Sequence, residues 1–165
     1  VVDNTNRTEA RYWIDDFLRV RQRQDNYHNT HNTLAMCKKY VTKHLSKEFE
    51  VSKADQAELL NETMKYFQEQ ESFSMDDFSE KVIRQPEVVE SFTRFRQEYE
   101  QDRDIRIEDE FGISDSAVKK QARSYKSVIK LDRNFHIYVH GNRNLLEQGE
   151  DEKGKFYKVY YEEEE

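Results

Sequence analysis

The side chains that could do chemistry in this chain fall into four groups. In the first, His28, His31, Cys37 and His44 lie close in sequence, and His28 and His31 are spaced to share one helix face. Imidazole with thiolate suits zinc. No second cluster completes four ligands at a familiar spacing, and Cys37 falls on an apolar stripe, so these read as ordinary helix residues. In the second, His136 and His140 flank Tyr138 on one face of a strand-like run, a pattern open to acid–base work or base stacking. No Ser or Cys nucleophile accompanies them, and the polar face of a small sheet is the simpler reading. The third group is the carboxylate runs Asp15-Asp16, Asp76-Asp77 and Glu108-Asp109-Glu110. A hydrolytic pair needs a separation that only a fold supplies, and these positions suit helix capping and solubility. With no GxGxxG and no P-loop, no nucleotide cofactor is expected. An enzyme is not expected, since a nuclease-like reading lacks a metal or nucleophile set.

The fourth group is basic. From Ser116 to Asn134, six cations (Lys119, Lys120, Arg123, Lys126, Lys130 and Arg133) stand against the single Asp132, a local charge of +5 in a chain of net charge -7. Local sign matters more than the total for contact with a phosphate backbone. Lys119, Arg123, Lys126 and Lys130 repeat at helical spacing, one residue out of phase with the apolar Val118, Ala122, Tyr125 and Ile129. A helix here buries one face and presents a basic one. Glu110 to Lys120 also has helix-turn-helix grammar: Gly112 for the turn, Ser114 opening the second helix, and Val118 packing it back. Glu108 departs from the small residue usual at that place. Ser114 and Ser116 would stand at the N-terminus of the presented helix, where backbone N–H groups favour phosphate.

The elements that must position these groups are mostly helical. Residues 1–8 read as a linker. Thr8 caps a helix over Glu9–Arg21, and a second helix runs over His28–His44 with Leu34, Cys37, Val41 and Leu45 on one side. Ser46–Val51 is a connection. Ser52 with Asp55 forms a capping box for a third helix, whose stripe is Ala57, Leu60, Met64 and Phe67. Ser74 starts a short helix holding Phe78, Val82 and Ile83. Pro86 opens another that carries Val88, Val89, Phe92, Phe95 and Tyr99. The chain is expected to be helical to about residue 102. Ile105–Phe111 reads as a helical turn ending at Gly112, and the basic helix runs from Ser114 or Asp115 to about Ser127. The period then switches to two. A strand at Val128–Leu131 turns through Asp132-Arg133-Asn134 into Phe135–Val139, and a third strand runs over Lys155–Glu162. The expected fold class is α+β: a helical body (residues 9–102), then a helix-turn-helix-like unit with a small antiparallel sheet (residues 103–165).

Composition sets the frame. The chain is 35% hydrophobic and 37% charged, poor in apolar residues for a folded domain, yet 13% of it is aromatic, which supplies a core and argues against disorder. One cysteine permits no internal disulfide, which suits a reducing cytoplasm. No apolar run reaches the length of a membrane span, so no membrane partner is expected. The chain opens Val1-Val2-Asp3 without Met, which suggests part of a longer protein.

Several strings carry a resemblance. Glu9-Ala10-Arg11-Tyr12-Trp13, Val118-Lys119-Lys120-Gln121-Ala122-Arg123, Lys130-Leu131-Asp132-Arg133-Asn134-Phe135-His136-Ile137-Tyr138-Val139-His140-Gly141 and Lys155-Phe156-Tyr157-Lys158-Val159-Tyr160-Tyr161 resemble the C-terminal portion of the bacterial 37-kDa nucleoid-associated protein family. The resemblance implies a cytoplasmic nucleoid protein with double-stranded DNA as partner; it implies no residue-level site. The expected function is DNA binding of low sequence specificity through Ser114, Ser116, Lys119, Lys120, Arg123, Lys126, Lys130 and Arg133. No cofactor and no small-molecule substrate are expected. The alternative is an interaction or dimerisation module, a homo-oligomer whose DNA-binding part lies in an absent N-terminal half. Phe156–Tyr161 would then serve as an intermolecular strand edge.

Overall fold

The structure, a computed structural model, describes residues 25–125, 128–139 and 143–163. The linker and the helix expected at Glu9–Arg21 lie outside the described residues. Helix α1 spans Asn26–Lys39. Its N-cap is Asp25, whose carboxylate accepts the His28 backbone N–H at 3.0 Å. The helix continues through a π-helical turn, Tyr40–His44, into a final turn α2, Leu45–Glu48. The expected Ser46–Val51 connection is therefore shorter. Buried Thr30 and Thr33 keep their hydroxyls satisfied by donating to the Asn26 and Asn29 carbonyls at 2.7 and 2.8 Å. Tyr40 is buried, and its hydroxyl lies within hydrogen-bond distance of the Val88 carbonyl (3.2 Å) and Ser91 Oγ (3.0 Å).

Helix α3, Lys53–Glu69, opens with the expected capping box: Ser52 Oγ accepts from the Asp55 N–H at 3.1 Å, and Asp55 Oδ2 accepts from the Ser52 N–H at 2.9 Å. Its stripe of Ala57, Leu60, Met64 and Phe67 is buried, with Tyr66 beside it. A short helix α4, Met75–Phe78, passes into a second π-helical turn, Ser79–Ile83. Arg84 takes a left-handed φ of 66°, and α5, Pro86–Arg103, starts on its proline. Val88, Phe92, Phe95 and Tyr99 face the core.

The body is not wholly helical. Strand β1, Ser72–Ser74, pairs antiparallel with β2, Glu110–Gly112. The helical turn expected at Ile105–Phe111 is an extended segment instead, so α6, Asp115–Ala122, is entered from a strand and has no partner helix joined to it across Gly112. Tertiary bonds decide this. Asp104 ends α5 in a left-handed conformation with φ 52°. The Ile107 N–H then donates to Glu100 Oε1 at 2.7 Å, the Met75 N–H to the Asp109 carbonyl at 2.9 Å, and the Ile113 N–H to the Glu71 carbonyl at 2.8 Å. Phe111 stacks on Phe73, centroids 4.8 Å apart. These contacts outweigh a weak local helical preference.

Helix α6 ends at Ala122, short of the expected Ser127. Tyr125 is buried with its hydroxyl donating to the Leu34 carbonyl, which pulls the chain off the helical path. Two hairpins follow: β3, Val128–Leu131, with β4, Phe135–Tyr138, and β5, Leu146–Asp151, with β6, Gly154–Val159. The first is the hairpin read from the sequence, with Asp132 at φ 51° in its turn. The expected third strand is β6, but it pairs with the unanticipated β5 and does not join the first hairpin. The described strands thus form three two-stranded ladders in an α+β fold. In β5–β6, Gly149 leaves room for the Phe156 ring, since a Cβ there would lie 2.4 Å from Cζ. The hairpins meet the start of α3 through a small apolar cluster of Ala54, Ile129 and Leu146. The main core gathers α1, α3, α5, β1, β2 and α6 around Leu34, Tyr40, Phe67, Phe73, Phe78 and Phe92.

Candidate nucleic-acid interface

Helix α6 has the two faces its sequence implies. Ala117 and Val118 are buried against the body, and Lys119, Lys120 and Arg123 are exposed. In the next hairpin Ile129 is buried while Lys130 points outward, paired across the ladder with exposed His136, and Arg133 is exposed at the turn. Lys126 lies outside the described residues. Among the described residues, the lysines and arginines in ion pairs are Lys81, Arg84, Arg94, Arg96 and Lys158. Lys119, Lys120, Arg123, Lys130 and Arg133 belong to none of those pairs.

The helix starts where the sequence places it, but its first turn is engaged differently. Ser114 is the N-cap, but its side chain makes no cap bond; its hydroxyl lies 3.0 Å from Ser116 Oγ. The Ser114 backbone N–H donates to Thr30 Oγ1 at 3.0 Å. It is engaged inside the fold rather than offered to a phosphate. Asp115 adds a negative charge in the first turn, which opposes an anion there.

The N-terminal half of α1 lies beside α6 and brings residues that the sequence reading left out. The Tyr27 and His31 rings stack, 6.3 Å apart and 9° from parallel. Lys120 Nζ stands 6.0 Å from the Tyr27 centroid on the same ring system. The Gln121 side-chain nitrogen lies 2.9 Å from His31 Nδ1 and 3.5 Å from its Nε2. Burial holds the His31 pKa below its ordinary value, and Lys120, His28 and Arg103 push the same way.

The family model described as nucleoid-associated protein YejK matches residues 1–164. The chain belongs to that family. No curated protein and no solved structure matches it.

Membership in the nucleoid-associated family agrees with the resemblance carried by Lys130–Gly141, and the family is not a known enzyme family. It assigns no role to any side chain. The other chemical groups read from the sequence are dispersed. His28 Nδ1 pairs with Asp25 at 2.8 Å, His44 Nε2 with Glu48 at 3.0 Å, and Cys37 is buried. No three His, Cys, Asp or Glu among the described residues are grouped to hold a metal. Asp77 accepts from the Tyr66 hydroxyl and pairs with Lys81, each at 2.8 Å. Asp109 pairs with Arg96 at 2.6 Å. His140, Asp15 and Asp16 lie outside the described residues. No helix among the described residues is long and apolar enough to cross a membrane.

Proposed function

We infer that this chain is a binding module of the bacterial nucleoid that holds double-stranded DNA with low sequence preference. The contact surface in this reading is the exposed face of α6, with Lys119, Lys120 and Arg123, extended by Lys130 and Arg133 on the β3–β4 hairpin. Lys126 joins it by sequence. The observation that carries it is the concentration of these cations, outside the ion pairs that neutralise Lys81, Arg84, Arg94 and Arg96 in the body. Lysine and arginine without carboxylate partners gain by releasing the counterions condensed on DNA, and that gain is independent of base sequence. Helix α6 has 8 residues. At 1.5 Å per residue it spans about 12 Å, near the width of a major groove. It enters from a strand, without the bracing first helix of a helix-turn-helix, which fits phosphate contact better than base reading. The acidic remainder of the chain repels the duplex and orients this face toward it. The module is placed in the cytoplasm, on the chromosome, and does no covalent chemistry.

The test is duplex binding by the full chain across a salt series, beside a Lys119→Ala/Lys120→Ala/Arg123→Ala variant. Steep salt dependence that flattens in the variant supports the reading, and equal binding by both proteins sinks it. A second reading, self-association, is favoured by exposed Val159, Tyr160 and Tyr161 at the end of the β5–β6 hairpin. Sedimentation of the chain as a dimer without DNA affinity would select it.

A further inference from the structure

We propose that the seam between α1 and α6 is a phosphate-binding notch in which His31 and Lys120 engage one backbone phosphate of bound DNA, with Gln121 setting the orientation of the His31 ring. The proposal rests on the DNA-binding reading and adds to it a second helix and a proton.

The geometry comes first. His31 is half-buried, stacked on Tyr27 and held by Gln121, so its ring has one defined plane. The Gln121 nitrogen lies 2.9 Å from Nδ1 and 3.5 Å from Nε2, so an imidazolium, which needs an acceptor at each nitrogen, finds none in that nitrogen. Lys120 reaches the same Tyr27 ring from α6. The charged groups that bear on His31 are Lys120 from α6, His28 from α1 and Arg103 from the end of α5, and all are cationic or can become so. The nearest carboxylate on its own element, Asp25, is engaged by His28. An imidazole flanked by cations, with the local acid already taken, is short of an anion. A phosphate placed there relieves the repulsion and favours the imidazolium. DNA binding then takes up a proton at His31, and the affinity rises as pH falls. Protonation also makes both ring nitrogens donors. Gln121 must then present Oε1, which in this structure lies 3.1 Å from Ser124 Oγ. A local amide rotation therefore accompanies binding.

The test follows the His31 ring resonances of the full chain by NMR from about pH 8 to about pH 6, alone and with a short random-sequence duplex. Duplex affinity is measured over the same range for wild type and for His31→Gln. The expected results are a rise in the His31 pKa on adding duplex and a gain in wild-type affinity of up to about tenfold per pH unit. That gain should shrink in His31→Gln. If the duplex binds in a salt-dependent way but leaves His31 unshifted, the notch is overturned and the DNA reading stands. The same holds if His31→Gln keeps the full pH response. If no salt-dependent binding occurs at any pH, the DNA reading itself falls. Inorganic phosphate at matched concentration should leave His31 unmoved; an equal shift would make this a free-phosphate site and overturn the proposal.

Discussion

At the scale of single residues, burial and partner chemistry set what each group can do. The Cys37 thiol is buried, which raises its pKa far above the ordinary range and keeps it as the unreactive thiol. It should resist thiol alkylation in the folded protein and react fully once unfolded; prompt native-state labelling would contradict this. Tyr66 is pushed up to about 12 by burial and by its bond to Asp77. Tyr40→Phe removes a buried hydroxyl that lies within hydrogen-bond distance of the Val88 carbonyl and Ser91 Oγ, so a loss of about 1–2 kcal/mol in urea unfolding is expected. Several shifts combine into an acid sensitivity. His31 is lowered by burial, Asp77 by the Lys81 bond first, and Glu48 by the Ser91 bond first. A depressed folded pKa means that the unfolded chain binds the proton more tightly. The stabilisation is therefore present above the unfolded pKa and is lost as pH falls through the folded one. Urea midpoints should begin to decline below about pH 6.5 through His31 and fall further below about pH 4 through the carboxylates. A midpoint that rises on acidification would refute the assignment.

At the scale of elements, local signals with a backbone mechanism were legible and tertiary ones were not. The Ser52/Asp55 capping box and the proline start of α5 are short-range devices, and both stand where the residues place them. The turn through Asp132-Arg133-Asn134 was read for the same reason. Ile105–Phe111 was misread because its fate depends on β1, and Glu110–Gly112 has no strand signature until Phe73 stacks on Phe111. Strand β5 was missed because Glu147, Gly149, Glu150 and Asp151 are poor strand formers; Phe156 lying over Gly149 compensates across the ladder. The site divides the same way. Of the basic stripe expected at helical spacing, Lys119 lies on α6 and Arg123 is its C-cap, while Lys130 stands on β3 because the helix ends at Ala122. The Gln121–His31 contact joins positions 90 apart, and its only trace in sequence was the His28/His31 spacing. The energetics follow the packing. Phe73 is buried among Phe67, Phe78 and Phe111, so Phe73→Ala should cost about 3–5 kcal/mol and unpair β1 from β2. Ser52→Ala, losing one half of the capping box, should cost about 1 kcal/mol. If thermal melts rank these two substitutions the other way, the layout of the core is wrong.

At the scale of the whole molecule, the distribution of charge is the feature that function draws on. A chain of net charge -7 pairs Lys81, Arg84, Arg94 and Arg96 of its body with carboxylates and carries a run from Lys119 to Arg133 in which Asp132 is the one carboxylate. In the proposed reading this face holds a duplex through its phosphates and releases it as salt rises. The most direct measurement is the slope of log affinity against log salt for a random-sequence duplex, with the full chain and with Lys119→Ala/Lys120→Ala/Arg123→Ala. The basic-face account predicts a steep negative slope for wild type, reduced in magnitude by about 0.9 for each phosphate contact removed, or nearly 3 in the triple variant. No salt-dependent binding by wild type, or an unchanged slope in the variant, would contradict it.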